Sequence, residues 1–184
     1  TFTFRGSEMS LSSHQSARLK SDIYLTPPAI VRAVGPFDLD PCCPPAMPWQ
    51  TAHRMISLPQ DGMAMPWEGR VWLNPPFGRE AAKWLEKLAH HGNGIALVPA
   101  RTETRMFYSW VWPFASAVCF LRGRPHFHYA DGTRASANSG APIALVAYGV
   151  SNRFKLQGAD LGICVVDWLN TTVDHRPTGK GENQ

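Results

Sequence analysis

No stretch of this sequence stays apolar over the roughly 18 residues that a membrane-crossing helix needs, so a membrane span is excluded. Charge is sparse: 18 Lys and Arg against 14 Asp and Glu make up 17% of 184 residues and leave a net charge of +4. That excess lets a phosphate-bearing partner approach but falls far short of a histone-like polycation. Cysteine is scarce as well. Cys42, Cys43, Cys119 and Cys164 contain no Cys-x-x-Cys pair, and together with His53, His126 and His128 they fit no standard zinc spacing, so no metal is expected. No N-terminal apolar stretch suits a signal peptide, and a soluble protein of a reducing cytoplasm is the natural expectation. Internal repeats and low-complexity tracts are missing too.

What is there is a 44% hydrophobic chain, long enough for one sizeable core and too short for two comfortable domains. Residues 1–20 are rich in polar residues and read as a flexible N-terminal segment, residues 170–184 as a flexible C-terminal tail, and 21–169 as a single domain. Thr26 before Pro27-Pro28 suits a helix cap, with Ile30, Val31 and Val34 giving the helix an apolar face. Phe37 to Asp40 reads as a short strand and the proline-dense stretch from Pro41 to Pro48 as loop. Val71-Trp72-Leu73 is a buried strand that stops at Pro75-Pro76; Ala82, Leu85, Leu88 and Ala89 then recur at helical spacing up to a stop at Gly92. Strands are expected again at 95–98, 117–121 and 142–148, with a helix over Glu103–Trp112, and the β-branched residues of 161–168 favour a strand there. This alternation predicts an α/β fold: a mostly parallel, Rossmann-like sheet with an antiparallel hairpin at one edge.

Asn74-Pro75-Pro76-Phe77 carries the chemistry. It follows a buried strand and precedes a helix, where open α/β sheets place their ligands. An exocyclic amine on a purine or pyrimidine is a poor nucleophile because its lone pair is delocalised into the ring. Two acceptors, the Asn74 side-chain carbonyl and the Pro75 backbone carbonyl, can hold the amine hydrogens while nitrogen pyramidalises towards a methyl donor. The two prolines stiffen that pair, and Phe77 offers a flat face to an extruded base. The plain alternative is a strand-ending turn, since Asn and Pro both favour turns.

Six segments in order resemble the phage-type family of N6-adenine DNA methyltransferases over roughly residues 21 to 150: Tyr24-Leu25-Thr26-Pro27, Phe37-Asp38-Leu39-Asp40-Pro41-Cys42, Asp61-Gly62 with Trp67 downstream, Asn74-Pro75-Pro76-Phe77, Pro99-Ala100-Arg101-Thr102-Glu103-Thr104, and Phe120-Leu121-Arg122-Gly123-Arg124. The resemblance implies a class I methyltransferase fold without a separate recognition domain, S-adenosylmethionine as cofactor, and double-stranded DNA with a flipped adenine as substrate. The compartment it implies is the host cytoplasm for a phage-encoded chain. It implies a cofactor site built from Tyr24, Thr26 and Pro27 near the methionine end, from Asp38, Asp40, Pro41 and Cys42 in the turn after the first strand, from Asp61 towards the adenosine, and from Asn74. Catalysis would fall to Asn74, Pro75, Pro76 and Phe77. Related chemistries are methylation of a cytosine amine or of a protein glutamine amide; a rival of another class is a non-catalytic DNA-binding module.

Two departures stand out. The turn after the first strand reads Asp40-Pro41-Cys42-Cys43-Pro44-Pro45 and lacks the glycine through which a backbone approaches a ligand closely. About thirty residues separate Asp40 from Val71, too few for the usual intervening strands and helices, so a reduced sheet is expected. Asp38 and Asp40 flank one apolar residue on a strand, which predicts that they share a face. Arg101, Arg105, Arg122, Arg124 and Arg134 follow strands or lie in loops and are candidates for the DNA backbone, with His126, Phe127, His128 and Tyr129 interleaving aromatic surface. The seven tryptophans read as core and loop anchors, with Trp67 a candidate wall of the cofactor pocket.

Overall fold

The computed structural model describes residues 24–78 and 80–166. Seven strands form one sheet: β1 (Leu39–Asp40), β2 (Arg54–Met55), β3 (Val71–Leu73), β4 (Gly94–Pro99), β5 (Ala117–Leu121), β6 (Ile143–Tyr148) and β7 (Gly162–Val166). Three α-helices accompany them, α1 (Pro28–Val34), α2 (Ala81–His91) and α3 (Val150–Gly158). Their order across the sheet is β2-β1-β3-β4-β6-β5-β7. The β1–β2, β1–β3 and β3–β4 ladders are parallel, and β6 runs antiparallel to both β4 and β5, as β7 does to β5. The fold is therefore mixed α/β, with five strands pointing one way and β6 and β7 the other. The antiparallel pair β5–β6 exists, but not as an edge hairpin: β6 slots between β4 and β5, and β7 takes the edge. The six consecutive buried residues of β6 fit its central place, with a strand on either side and both faces covered.

Alternation along the strands divides the core in two. Ala96, Val98, Val118, Ala144 and Val146 point to the face covered by Leu85 and Leu88 of α2. Ile95, Leu97, Ala117 and Leu145 point to the opposite face, covered by Val31 and Val34 of α1 and Leu156 of α3. Helix α2 buries Ala81, Leu85, Leu88 and Ala89, and ends on Gly92 in the left-handed conformation (φ 71°), whose N–H returns to the Leu88 carbonyl.

Helix α1 starts one residue later than its cap chemistry suggests. Pro27 occupies the cap position and no side chain caps the helix; Thr26 is buried one residue upstream. The helix expected over 103–112 is a π-helical turn, Phe107–Val111, in which Trp112 N–H reaches back to the Phe107 carbonyl at 2.9 Å. The Trp110 carbonyl in that turn accepts from the Tyr148 hydroxyl at 2.9 Å, tying it to β6. Between β1 and β3 no helix intervenes, and β2 is two residues long, so this half of the sheet is reduced as its length demanded. No described helix is long and apolar enough to cross a membrane.

Candidate functional site at the β1–β3 crevice

The chain leaves β1 for β2 on one side and returns to β3 on the other, so the strand order reverses between β1 and β3. Parallel strands that diverge in this way open a crevice beyond their carboxyl ends, the usual place for a ligand in an open α/β sheet. A cavity of about 580 Å³ lies there, large enough for a nucleoside-sized molecule. Asn74, Pro75, Pro76 and Phe77 line it after β3; Asp40, Pro41 and Cys42 line it after β1; Tyr24, Thr26 and Asp61 complete the wall predicted from sequence.

The two halves are joined by hydrogen bonds. Cys42 Sγ donates to the Asn74 backbone carbonyl at 3.2 Å across the crevice. Asn74 Nδ2 donates to the Tyr24 carbonyl at 3.2 Å, which fixes the amide orientation and leaves Oδ1 as an acceptor without a described protein donor. Pro75 is buried, whereas Phe77 is 48% exposed, with its ring edge-on to Phe127 at 6.3 Å.

Asp40 is buried, accepting from Thr51 Oγ1 at 2.5 Å and from the Cys42 N–H at 3.2 Å. Burial pushes its carboxyl up to about 6, against those two hydrogen bonds, which favour the carboxylate. Burial and then the Asp40 charge raise the Cys42 thiol well above its ordinary value, so it stays a protonated donor to Asn74. Thr26 Oγ1 is a buried hydroxyl without a protein partner among the described residues, a polar atom in the cavity wall that a ligand could satisfy.

Two residues expected at the site lie elsewhere. Asp38 is exposed and does not share the environment of Asp40: the chain bends before β1, and Asp38 Oδ2 accepts from the Arg70 N–H at 2.6 Å. Pro27 serves as the N-terminal boundary of α1 and does not line the cavity. Trp67 is not a cavity wall either. Its Nε1 donates to the Gly62 carbonyl at 2.8 Å while Trp84, stacked on it at 6.1 Å, faces the cavity. Thr51, Ile56 and Ser57 also reach the cavity, and no local pattern marks them.

The β1 turn, which has no glycine of its own, meets one from the facing segment. Gly62 packs so closely on Pro41 that a Cβ would overlap the Pro41 carbonyl oxygen. Lys87 of α2 holds this segment down, with Nζ donating to the Met63 and Met65 carbonyls at 2.6 and 2.7 Å and lying 4.9 Å from the Trp67 ring centre.

The five arginines Arg101, Arg105, Arg122, Arg124 and Arg134 are all exposed and none lines the cavity. Because β3, β4 and β5 run the same way, Asn74, Arg101 and Arg122 leave the sheet at one edge. Arg122 pairs with Asp160 at 3.3 Å. Arg134 belongs to a small hairpin that bridges through His128 to Leu25, beside the cavity. The aromatics interleaved with these arginines are not an open surface. Phe127 is buried against the sheet, His128 is partly buried edge-on to Trp49, and His126 Nδ1 bonds the Ala135 carbonyl at 3.0 Å. Comparison of the chain with family models, curated proteins and solved structures finds no match.

Proposed function

We propose that this chain is an S-adenosylmethionine-dependent DNA methyltransferase acting on the exocyclic amine of a flipped-out adenine, on a reduced class I methyltransferase-like sheet. The observation that carries the reading is Asn74, in the cavity wall beside the buried Pro75: its amide nitrogen is held by the Tyr24 carbonyl, which leaves its oxygen as an acceptor without a described protein donor. An acceptor so fixed is what an amine needs to relocalise its lone pair, and it costs no reorganisation during reaction. The half-exposed Phe77 at the cavity rim suits stacking of an extruded base.

The chain's residues fit the cofactor. Asp40 offers a buried carboxylate to an ammonium group, the unpartnered Thr26 hydroxyl offers a further polar contact, and Ile56 with Trp84 gives apolar wall for a flat ring. When bound, S-adenosylmethionine supplies an electrophilic methyl group on a sulfonium. Exposed Arg101, Arg124 and Arg134 at the same sheet edge suit phosphate contacts with double-stranded DNA. Labelled methyl transfer onto defined duplex DNA, followed by nucleoside digestion, should yield N6-methyladenine. Asn74→Ala, folded as judged by circular dichroism, should lose about 10²-fold or more of that rate. Wild-type activity in the variant would end the reading, and N4-methylcytosine as the product would move it to the cytosine amine.

A further inference from the structure

Cys119 and Cys164 stand directly opposite each other on β5 and β7, the antiparallel pair at the sheet edge. The ladder phase fixes how near they are. Arg122 N–H donates to the Leu161 carbonyl at 2.9 Å, and this pair continues the β5–β7 register by one step, so it is a hydrogen-bonded pair. Hydrogen-bonded and non-hydrogen-bonded pairs alternate along an antiparallel ladder. Three steps along, Cys119 and Cys164 are therefore a non-hydrogen-bonded pair, whose Cα atoms approach to about 4.5 Å. That separation lies inside the range that a disulfide spans without backbone movement.

Both side chains also point to the same face. Cys119 belongs to the core beneath α1 and α3, and Cys164 packs against that same core, its Sγ 3.7 Å from the Leu156 carbonyl of α3. Neither lines the cavity at the β1–β3 crevice. We propose that Cys119 and Cys164 are a cross-strand dithiol that closes to a disulfide under oxidising conditions, making β7 a redox-sensitive clasp on the sheet edge. This proposal does not depend on the methyltransferase reading.

The two thiols differ in access, which orders the chemistry. Cys119 is fully buried, and burial together with the neighbouring Cys164 thiol pushes it up to about 12; Cys164 is only partly buried. Cys164, as thiolate, attacks a sulfur of glutathione disulfide, forming a mixed disulfide and releasing one glutathione thiolate. Cys119 then attacks the Cys164 sulfur and passes its proton to the departing glutathione sulfur, so the second glutathione leaves as a thiol. Two protein thiols are oxidised to one disulfide while glutathione disulfide is reduced to two thiols. The product closes a loop that contains β6 and α3, and so constrains the unfolded chain.

The test is intact-mass spectrometry of the full chain after incubation with glutathione disulfide, with a non-reducing digest. Loss of the mass of two hydrogens, a cross-linked peptide joining Cys119 to Cys164, and a rise in Tm on the order of 5–10 °C that dithiothreitol reverses are expected. Cys119→Ser should instead trap a stable glutathione adduct on Cys164. A wild-type chain that keeps its mass, retains the glutathione adduct, or links other cysteines would overturn the proposal, whatever the folding of the variant.

Discussion

Asp40 is a carboxyl group kept out of water by the sheet on which it sits, and its ionisation is therefore written into the stability of the chain. Its folded value of about 6 lies above the ordinary 3.8, so the folded state binds the proton more tightly than the unfolded state. Stability from this group is fully present below pH 4 and is lost as pH rises through 6, a change on the order of 3 kcal/mol. Denaturant unfolding from pH 4 to 7 should show that decline in the wild type and lose it in Asp40→Asn, the difference between the two curves isolating the group. Parallel curves would mean that Asp40 ionises like an exposed acid. The sequence could not tell Asp40 from Asp38, because strand alternation gives them one face. What separates them is the bend before β1 and the Arg70 N–H that occupies Asp38, a contact across more than thirty residues of chain. Thr51, which holds Asp40, was equally invisible, since a threonine in a loop carries no pattern.

At the scale of elements, local chemistry was legible and long-range fitting was not. The Asn-Pro-Pro-Phe loop could be read because a buried strand ended by prolines is a local signal, and α2 could be read from its apolar spacing and its glycine stop. The close approach at the cavity could not, since its glycine stands some twenty residues away from the turn that needs it. Gly62 presses on the Pro41 carbonyl while Trp67 and Lys87 pin the same segment from behind, so it has nowhere to retreat. Gly62→Ala should then cost roughly 1–3 kcal/mol in denaturant unfolding, with S-adenosylmethionine affinity by calorimetry at least about tenfold weaker. Unchanged stability would mean that the segment yields freely and that Gly62 is not a packing requirement. The π-helical turn Phe107–Val111 was also beyond reach, because the hydrogen bond that ties its Trp110 carbonyl to the Tyr148 hydroxyl comes from a distant strand.

Across the whole molecule, the α/β class and the reduced half-sheet followed from element alternation and chain length, but the place of β6 did not. Strand order depends on which apolar faces meet, and a fully apolar strand could equally have been read at an edge until its neighbours are known. The same geometry gathers the carboxyl ends of β3, β4 and β5 at one edge and with them the exposed arginines. Arg122 spends its charge on Asp160, so Arg124 and Arg134 are the better probes of a DNA surface. Neutralising both to Gln should weaken duplex binding and flatten the slope of log K against log salt by about 2. An unaltered slope would exclude both arginines from a DNA-binding surface.

The anchor of Asn74 is a main-chain oxygen, that of Tyr24, rather than any side chain. Replacing residue 24 by almost any other leaves that oxygen in place, so the polarity of the amide is insured against point substitution. It is exposed instead to whatever shifts the peptide just ahead of α1, where a displaced carbonyl would release the amide to turn its NH₂ towards the cavity.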